Sequence, residues 1–415
     1  MSRSWVAHVI WWQVYPLGFV GAFPADHPPG PGEHRLRRLV DWLDHAIALG
    51  ASGIALGPIF ASHTHGYDTT DHYRIDPRLG DDNDFDEFVS QAHRRGLRVM
   101  LDGVFNHVGV EFACPAAWFS GDTFEGHSEL RTLNHDNPEV VDYVVDVMAH
   151  WLQRGADGWR LDAAYIVPQR FWSAVLPRVR ERNPDAWIVG ELIHGDYAAV
   201  VDAAGFDSAT QYELWKAIWS SLNDGNFFEL DWALQRHNEF LGSFVPLTFI
   251  GNHDVTRIAS RLQRPDHLPH ALVLLLTVGG VPSIYAGDEF GFRGVKEERY
   301  GGDDAVRPEF ASPPVPLDET GAQVWELHQY LIGLRRRHPW LHEASTVAVR
   351  LENRHYVYRT SCGDDALLVA LNIDDEPLRF DTARVEVVAG SSAPPQVVVD
   401  SVVVEPHGWR ILRPI

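Results

Sequence analysis

Eight short apolar runs, each followed by a stretch of helical spacing, set the strongest limit on how this chain folds. The runs cover 9–15, 52–58, 97–104, 158–163, 187–192, 207–212, 246–251 and 282–287. The 3.6-residue periodicity predicts helices over 35–49, 85–95, 138–154, 169–182, 197–204, 213–238, 268–278 and 320–338. Strands that read as continuous apolar runs are covered on both faces, and parallel strands need a crossover between them. Eight such units predict an α/β fold, a (β/α)8 barrel over residues 1–340. Only 108–137 lies between the third strand and its helix, a short inserted loop domain. After Pro339 the pattern changes to alternating stretches at 356–359, 366–372 and 396–404, with turn signals at Cys362-Gly363-Asp364 and Asp374-Asp375. These predict a C-terminal antiparallel β-sandwich over 341–415.

Charge narrows the partners. Asp and Glu outnumber Lys and Arg by 57 to 35, and the net charge of -22 repels phosphate backbones and anionic membrane surfaces. We therefore expect no nucleic-acid or membrane partner. The apolar run 271–285 is shorter than a membrane span and contains Gly279, Gly280 and Pro282. The N-terminal run reads as a first buried strand rather than a signal peptide, since His8 interrupts it and no small-residue cleavage site follows. Cys114 and Cys362 are too few to organise the fold, which suits a cytoplasmic protein.

In a barrel of this kind chemistry collects where the strands end and the loops into the helices begin. The third strand runs into Asp102-Gly103-Val104-Phe105-Asn106-His107, the fourth into Asp162, the fifth into Glu191 and the seventh into Asn252-His253-Asp254. Strand alternation puts Arg160 and Asp162 on one face, where the guanidinium keeps the carboxylate ionised, as a nucleophile requires. Glu191 follows Trp187, Ile188 and Val189, and an apolar setting would raise its pKa and keep a proton on it. One carboxyl that holds a proton and one that does not is the combination glycosidic cleavage needs. Aromatic side chains in the loops or at helix starts, Trp118, Phe119, Trp215, Phe227, Phe228 and Tyr300, are candidates to flank a sugar.

The stretches DGVFNH (102–107), GWRLDAA (158–164), GEL (190–192) and FIGNHD (249–254) resemble, in order, the four motifs of the α-amylase family, glycoside hydrolase family 13. HGYDTTDHYRIDPRLG (65–80) and GVPSIYAGDEFG (280–291) are similar to that family's second- and eighth-strand segments. The resemblance implies Asp162 as nucleophile, Glu191 as general acid and base, and Asp254 as the third acid that grips and distorts the sugar. It also implies that His107 and His253 bond ring hydroxyls, Arg160 orients Asp162, Tyr67 stacks under the ring, and Asp68 is tied to Arg307 or to nearby polar groups.

Many relatives bind calcium through the asparagine of the first motif. Here Asn106 is present, and Glu111, Asp122 and Glu125 in the short insert are possible ligands, although exposed loop acids usually just face water. No cofactor is expected to be required, and calcium is not predicted. The motif wording is closest to the neopullulanase and cyclomaltodextrinase branch, whose substrates are short or cyclic maltooligosaccharides with α-1,4 and in part α-1,6 bonds. Members often pair subunits through an extra N-terminal β domain. This barrel starts near the first residue, so a homodimer stays an open alternative. A transglycosidase, an exo-acting α-glucosidase and a catalytically silent sugar-binding homologue are the competing readings; the intact trio of acids argues against the last.

Overall fold

The computed structural model describes residues 5–22, 33–299, 301–313, 315, 317–391 and 397–415. All eight expected parallel strands form: β1 Trp11–Val14, β2 Gly53–Leu56, β3 Arg98–Gly103, β4 Gly158–Leu161, β5 Trp187–Gly190, β6 Ser208–Ala209, β7 Leu247–Phe249 and β8 Val281–Tyr285. Their order in the sheet is β6-β5-β4-β3-β2-β1-β8-β7, so sequential strands are neighbours, as in a nearly closed (β/α)8 barrel. Most strands are shorter than their apolar runs. Residues such as Asn106, Asp162 and Glu191 leave the ladder at its C-terminal end and belong to the loops.

The main helices are α1 Leu43–Leu49, α2 Asp82–Arg94, α3 Pro138–Gln153, α4 Gln169–Arg182, α5 Tyr197–Ala204, α6 Tyr212–Asp224, α7 Phe227–Leu241, α8 Leu268–Thr277 and α9 Glu319–Arg337. The helix expected over 213–238 is two helices. Gly225 ends α6 in the left-handed region at φ 62, and the Asn226 side chain accepts the Phe228 N–H to start α7. The expected 35–49 helix is likewise split, into Arg37–Val40 and α1.

The chain forms two compact units. One comprises Met1–Thr210, Ser283–Ala286 and Lys296–Leu317; the other comprises Gln211–Pro282, Gly287–Val295 and Asp318–Ile415. In the first, Trp11 stacks on Trp187 with ring centroids 5.8 Å apart and planes at 9°, an aromatic contact between β1 and β5. The insert after β3 is a three-stranded sheet in which Leu130–Leu133 pairs with both His107–Gly109 and Phe119–Thr123.

In the second unit the expected antiparallel domain has six strands: β9 Ser345–Leu351, β10 His355–Cys362, β11 Asp365–Asn372, β12 Leu378–Gly390, β13 Val398–Val404 and β14 Trp409–Pro414. They are ordered β9-β10-β11-β14-β12-β13 around a core that includes Val357, Leu368, Val385, Val402 and Leu412. The sheet is fastened to the helices of its own unit by buried polar contacts. Tyr356 donates to Asp231 of α7 at 2.9 Å, and His270 of α8 reaches the carbonyls of Asn372 and Gly408 at 3.1 and 3.0 Å. Among the described residues no helix is long and apolar enough to cross a membrane.

Candidate active site

Period-two alternation along β4 does what the sequence implies: Arg160 Nη1 donates to Asp162 Oδ1 at 2.9 Å. The neighbouring strands add more. In the parallel register Asp102 of β3 lies opposite Arg160, and Val189 of β5 lies opposite it on the other side. Arg160 therefore meets both Asp102 oxygens at 2.8 Å through Nη1, and Glu191 Oε1 at 2.5 Å through Nη2. One guanidinium thus serves three carboxylates, and all four residues are buried. The carboxylates hold the Arg160 pKa well above its usual range despite burial.

The Glu191 setting departs from expectation. Its carboxyl meets a guanidinium and a backbone donor, Ala163 N–H to Oε2 at 2.8 Å, instead of an apolar wall. Ala163 adopts φ 47, a left-handed conformation unusual for a residue with a Cβ, and this turn directly after Asp162 aims the N–H at Glu191. Trp187, Ile188 and Val189 precede Glu191 in sequence, but what surrounds it in space is set by the adjacent strand.

Around this cluster Tyr67 donates its hydroxyl to Asp102 Oδ2 at 3.1 Å. His107 Nδ1 lies 3.1 Å from the Asn106 side-chain amide, and the ring also bonds the Tyr67 carbonyl. Burial lowers the His107 pKa to about 4 and keeps the ring neutral. Asp68 takes its hydrogen bonds from Thr64, N–H at 2.8 Å and hydroxyl at 2.7 Å, and so is tied to a nearby polar group. Arg307 is paired with Asp303 at 3.0 Å and lies over the Tyr15 ring at 4.5 Å.

In the second unit, on the loop after β7, His253 Nε2 lies 3.1 Å from Asp254 Oδ2, and the Asn252 side chain accepts the Asp254 N–H at 2.9 Å. Asn252 is itself held through its amide donating to the Tyr212 hydroxyl at 2.8 Å, which fixes the turn that presents Asp254.

Asp102 and the Ala163 N–H were not anticipated as site groups. Asp102 could have been found from its place in the third-strand motif on the face that meets Arg160, had the register between strands been known. Of the candidate aromatics, Trp118 bonds Glu139, Phe119 lies under Arg131, Trp215 stacks on Phe249 and Phe227 packs on Tyr356, whereas Phe228 is exposed. Tyr300 lies outside the described residues.

Asn106 offers a buried Oδ1 without a partner, but Glu111 pairs with His63, Asp122 with Ser120, and Glu125 with Tyr165. Among the described residues, the cluster that brings three His, Cys, Asp or Glu ligand atoms together is His34, Asp81 and Asp84, and there Asp84 already serves Arg37 and caps α2.

A guanidinium shared by acids at successive strand ends of a parallel barrel gathers carboxyl groups of the kind glycosidic cleavage uses. The particular family follows from comparison. The chain matches the alpha amylase catalytic domain over 13–125 and 116–355, and it belongs to the α-amylase family of glycoside hydrolases. It is 30% identical to a cyclomaltodextrinase of Geobacillus thermopakistaniensis, covering 90% of this chain and 70% of that protein. It is 30% identical to neopullulanase 2 of Thermoactinomyces vulgaris, covering 81% of this chain and 64% of that one. The ligand-free cyclic α-maltosyl-(1→6)-maltose hydrolase of Arthrobacter globiformis superposes with a TM-score of 0.82 at 26% identity, over 99% of this chain and all of the other.

Proposed function

We propose that the protein is a retaining hydrolase of α-1,4, and in part α-1,6, glucosidic bonds in short or cyclic maltooligosaccharides, acting in the cytoplasm without a required metal. The observation that carries this reading is Arg160 bonding Asp162 and Glu191 with one guanidinium. That bridge keeps the two carboxyl groups close, which suits attack by a carboxylate and leaves little room for a water between substrate and base. The relatives named cyclomaltodextrinase, neopullulanase and cyclic α-maltosyl-(1→6)-maltose hydrolase support the substrate class. Two free cysteines suit a reducing compartment.

In this mechanism Asp162 attacks the anomeric carbon while Glu191 protonates the departing oxygen, and Glu191 then deprotonates the water that releases the sugar. When Glu191 carries its proton, its hold on Arg160 weakens. The guanidinium remains on Asp162 and Asp102 and keeps the nucleophile ionised. His107 bonds a hydroxyl of the retained sugar and Tyr67 stacks beneath it; Asp254, beside His253 on the loop after β7, stays the third acid of this reading.

Maltotriose, a cyclodextrin and pullulan, each incubated with the protein and resolved by chromatography, test substrate and bond. Release of product with the α-configuration, read by polarimetry or NMR before mutarotation, is the expected sign of retention. Inverted product would overturn the assignment of Asp162 as nucleophile, and no turnover of any α-glucan would overturn the whole reading.

A further inference from the structure

The span from Gly251 to Arg257 carries Asp254 from the end of β7 to the helical turn Ile258–Arg261, and one buried side chain holds both of its ends. That side chain is Asp288, in the short turn Asp288–Phe290 that follows β8 in the chain. Its Oδ1 accepts Arg257 Nη1 at 2.7 Å, and a Cβ added at Gly251 would lie 2.4 Å from its Oδ2. The first residue of the span must therefore lack a side chain, and the last must reach a carboxylate. Arg257 is fixed through its backbone as well: its N–H donates to the Gly294 carbonyl at 3.0 Å, and the Gly294 N–H donates to Ser260 Oγ at 2.9 Å.

A merely structural contact would not need so costly an arrangement. Asp288 and Arg257 are both buried, and Asp288 Oδ2 has no hydrogen-bond partner among the described residues. Burial raises the Asp288 pKa to about 6 against the pull of Arg257. Well-packed apolar side chains often hold two segments together at least as firmly as a buried ion pair does. What the pair adds is a single geometry, because a guanidinium meets a carboxylate from a fixed direction. Between the anchored ends, the Asn252 side chain accepts the Asp254 N–H at 2.9 Å and donates to the Tyr212 hydroxyl at 2.8 Å. Asp254 and Val255 are the only residues of the span that are not buried.

We infer that Asp288 is a positioning residue for the reaction: by clasping Arg257 and abutting Gly251 it fixes the loop that presents Asp254. Asp254 counts here as the third acid of the glycoside-cleaving reading, on which the clasp rests. A carboxylate that engages the sugar more strongly in the transition state than in the ground state is sensitive to small displacements. A misplacement of about 1 Å can cost on the order of a hundredfold in rate. Loosening the clasp therefore lowers kcat and leaves KM nearly unchanged.

Asp288→Asn tests the clasp, since the amide keeps the shape of the side chain and removes its charge. On an aryl α-glucoside kcat should fall about tenfold, with KM within about twofold of the unmodified protein. In an Asp254→Asn background the same substitution should change kcat by less than about twofold, because the residue it positions no longer acts. Arg257→Lys, which keeps the cation and loses the fork of the guanidinium, is read in the same way, and urea unfolding gives the folded fraction of each variant. Unchanged kcat in Asp288→Asn and Arg257→Lys, or losses that multiply in the double variant, would overturn the clasp and leave the glycosidase reading intact. An Asp254→Asn variant as active as the unmodified protein would overturn the clasp together with the role of Asp254 as third acid.

Discussion

Arg160 and Arg335 are both buried guanidiniums, one in each compact unit, and they face opposite chemistry. Arg160 meets three carboxylates. Arg335, near the end of α9, meets only backbone carbonyls: Leu276 and Val278 through Nη1 at 3.1 and 2.8 Å, Gly280 and Leu341 through Nη2 at 2.7 and 3.3 Å. The proton affinities follow the surroundings. Carboxylates push the Arg160 pKa well above its usual range, while burial among neutral dipoles lowers that of Arg335 to about 9. The first arrangement gathers charge that chemistry can use. The second binds the segment entering β8 to the turn that leads into the C-terminal sheet, and carries no acid that could react.

Replacing each arginine by a methionine of similar bulk separates these roles. Arg160→Met leaves three buried carboxylates with no cation between them. It should cut kcat/KM on an aryl α-glucoside by on the order of 10² to 10³, and cost about 3 to 5 kcal/mol in urea unfolding at pH 8. The unfolding deficit should narrow at pH 5, because carboxyls without a cation take up protons readily; a deficit that stays constant with pH would contradict the charge network. Arg335→Met orphans carbonyls and removes no charge pair. A loss of about 3 kcal/mol is expected, with kcat/KM of the folded fraction unchanged. If Arg335→Met impaired turnover as severely as Arg160→Met, the division between reactive and structural guanidinium would fail.

The same contrast shows what the sequence carries. The eight strands and the pairing of Arg160 with Asp162 are legible, because both depend on period-two alternation within one segment. The Asp102–Arg160 pair joins residues 58 apart, and it depends on a register between strands that no single stretch encodes. The same gap explains why Glu191 was expected in apolar surroundings: its neighbours in sequence are Trp187, Ile188 and Val189, whereas its neighbours in space are Arg160 and the Ala163 N–H. The boundary between α6 and α7 was written in Asp224-Gly225-Asn226, a stop and a cap that strong helical periodicity on either side masked.

The comparison extends to histidine, where it can be sharpened by pH. His270 resembles Arg335 in bonding carbonyls: its Nε2 lies 3.1 and 3.0 Å from Asn372 and Gly408 oxygens, its buried Nδ1 has no partner among the described residues, and the His267 ring packs edge-on at 5.3 Å. A proton added to Nδ1 would be a buried charge without a counter-ion, and burial accordingly lowers the pKa from 6.5 to about 4. The unfolded chain therefore binds the proton more tightly than the folded one. Stability from keeping this ring neutral is fully present above pH 6.5 and is lost as the pH falls toward 4. Between pH 6.5 and pH 5 the loss amounts to about 2 kcal/mol for one such group. His237, which shares a carbonyl bond with Gly279 and is likewise lowered to about 4, acts in the same direction. Asp288, raised to about 6 by burial against the pull of Arg257, acts in the opposite one, losing stability as the pH rises from 4 to 6. Urea unfolding of His270→Asn at pH 7.5 and pH 5 isolates the single term, since the other groups are common to both proteins. The variant should be less stable than the unmodified protein at pH 7.5, where it lacks the hydrogen bonds to the β11 and β14 ends, and the difference should shrink by about 2 kcal/mol at pH 5. A difference that does not change with pH would mean that the ring titrates alike in both states, and that carbonyl surroundings do not hold buried cations in check as Arg335 implies.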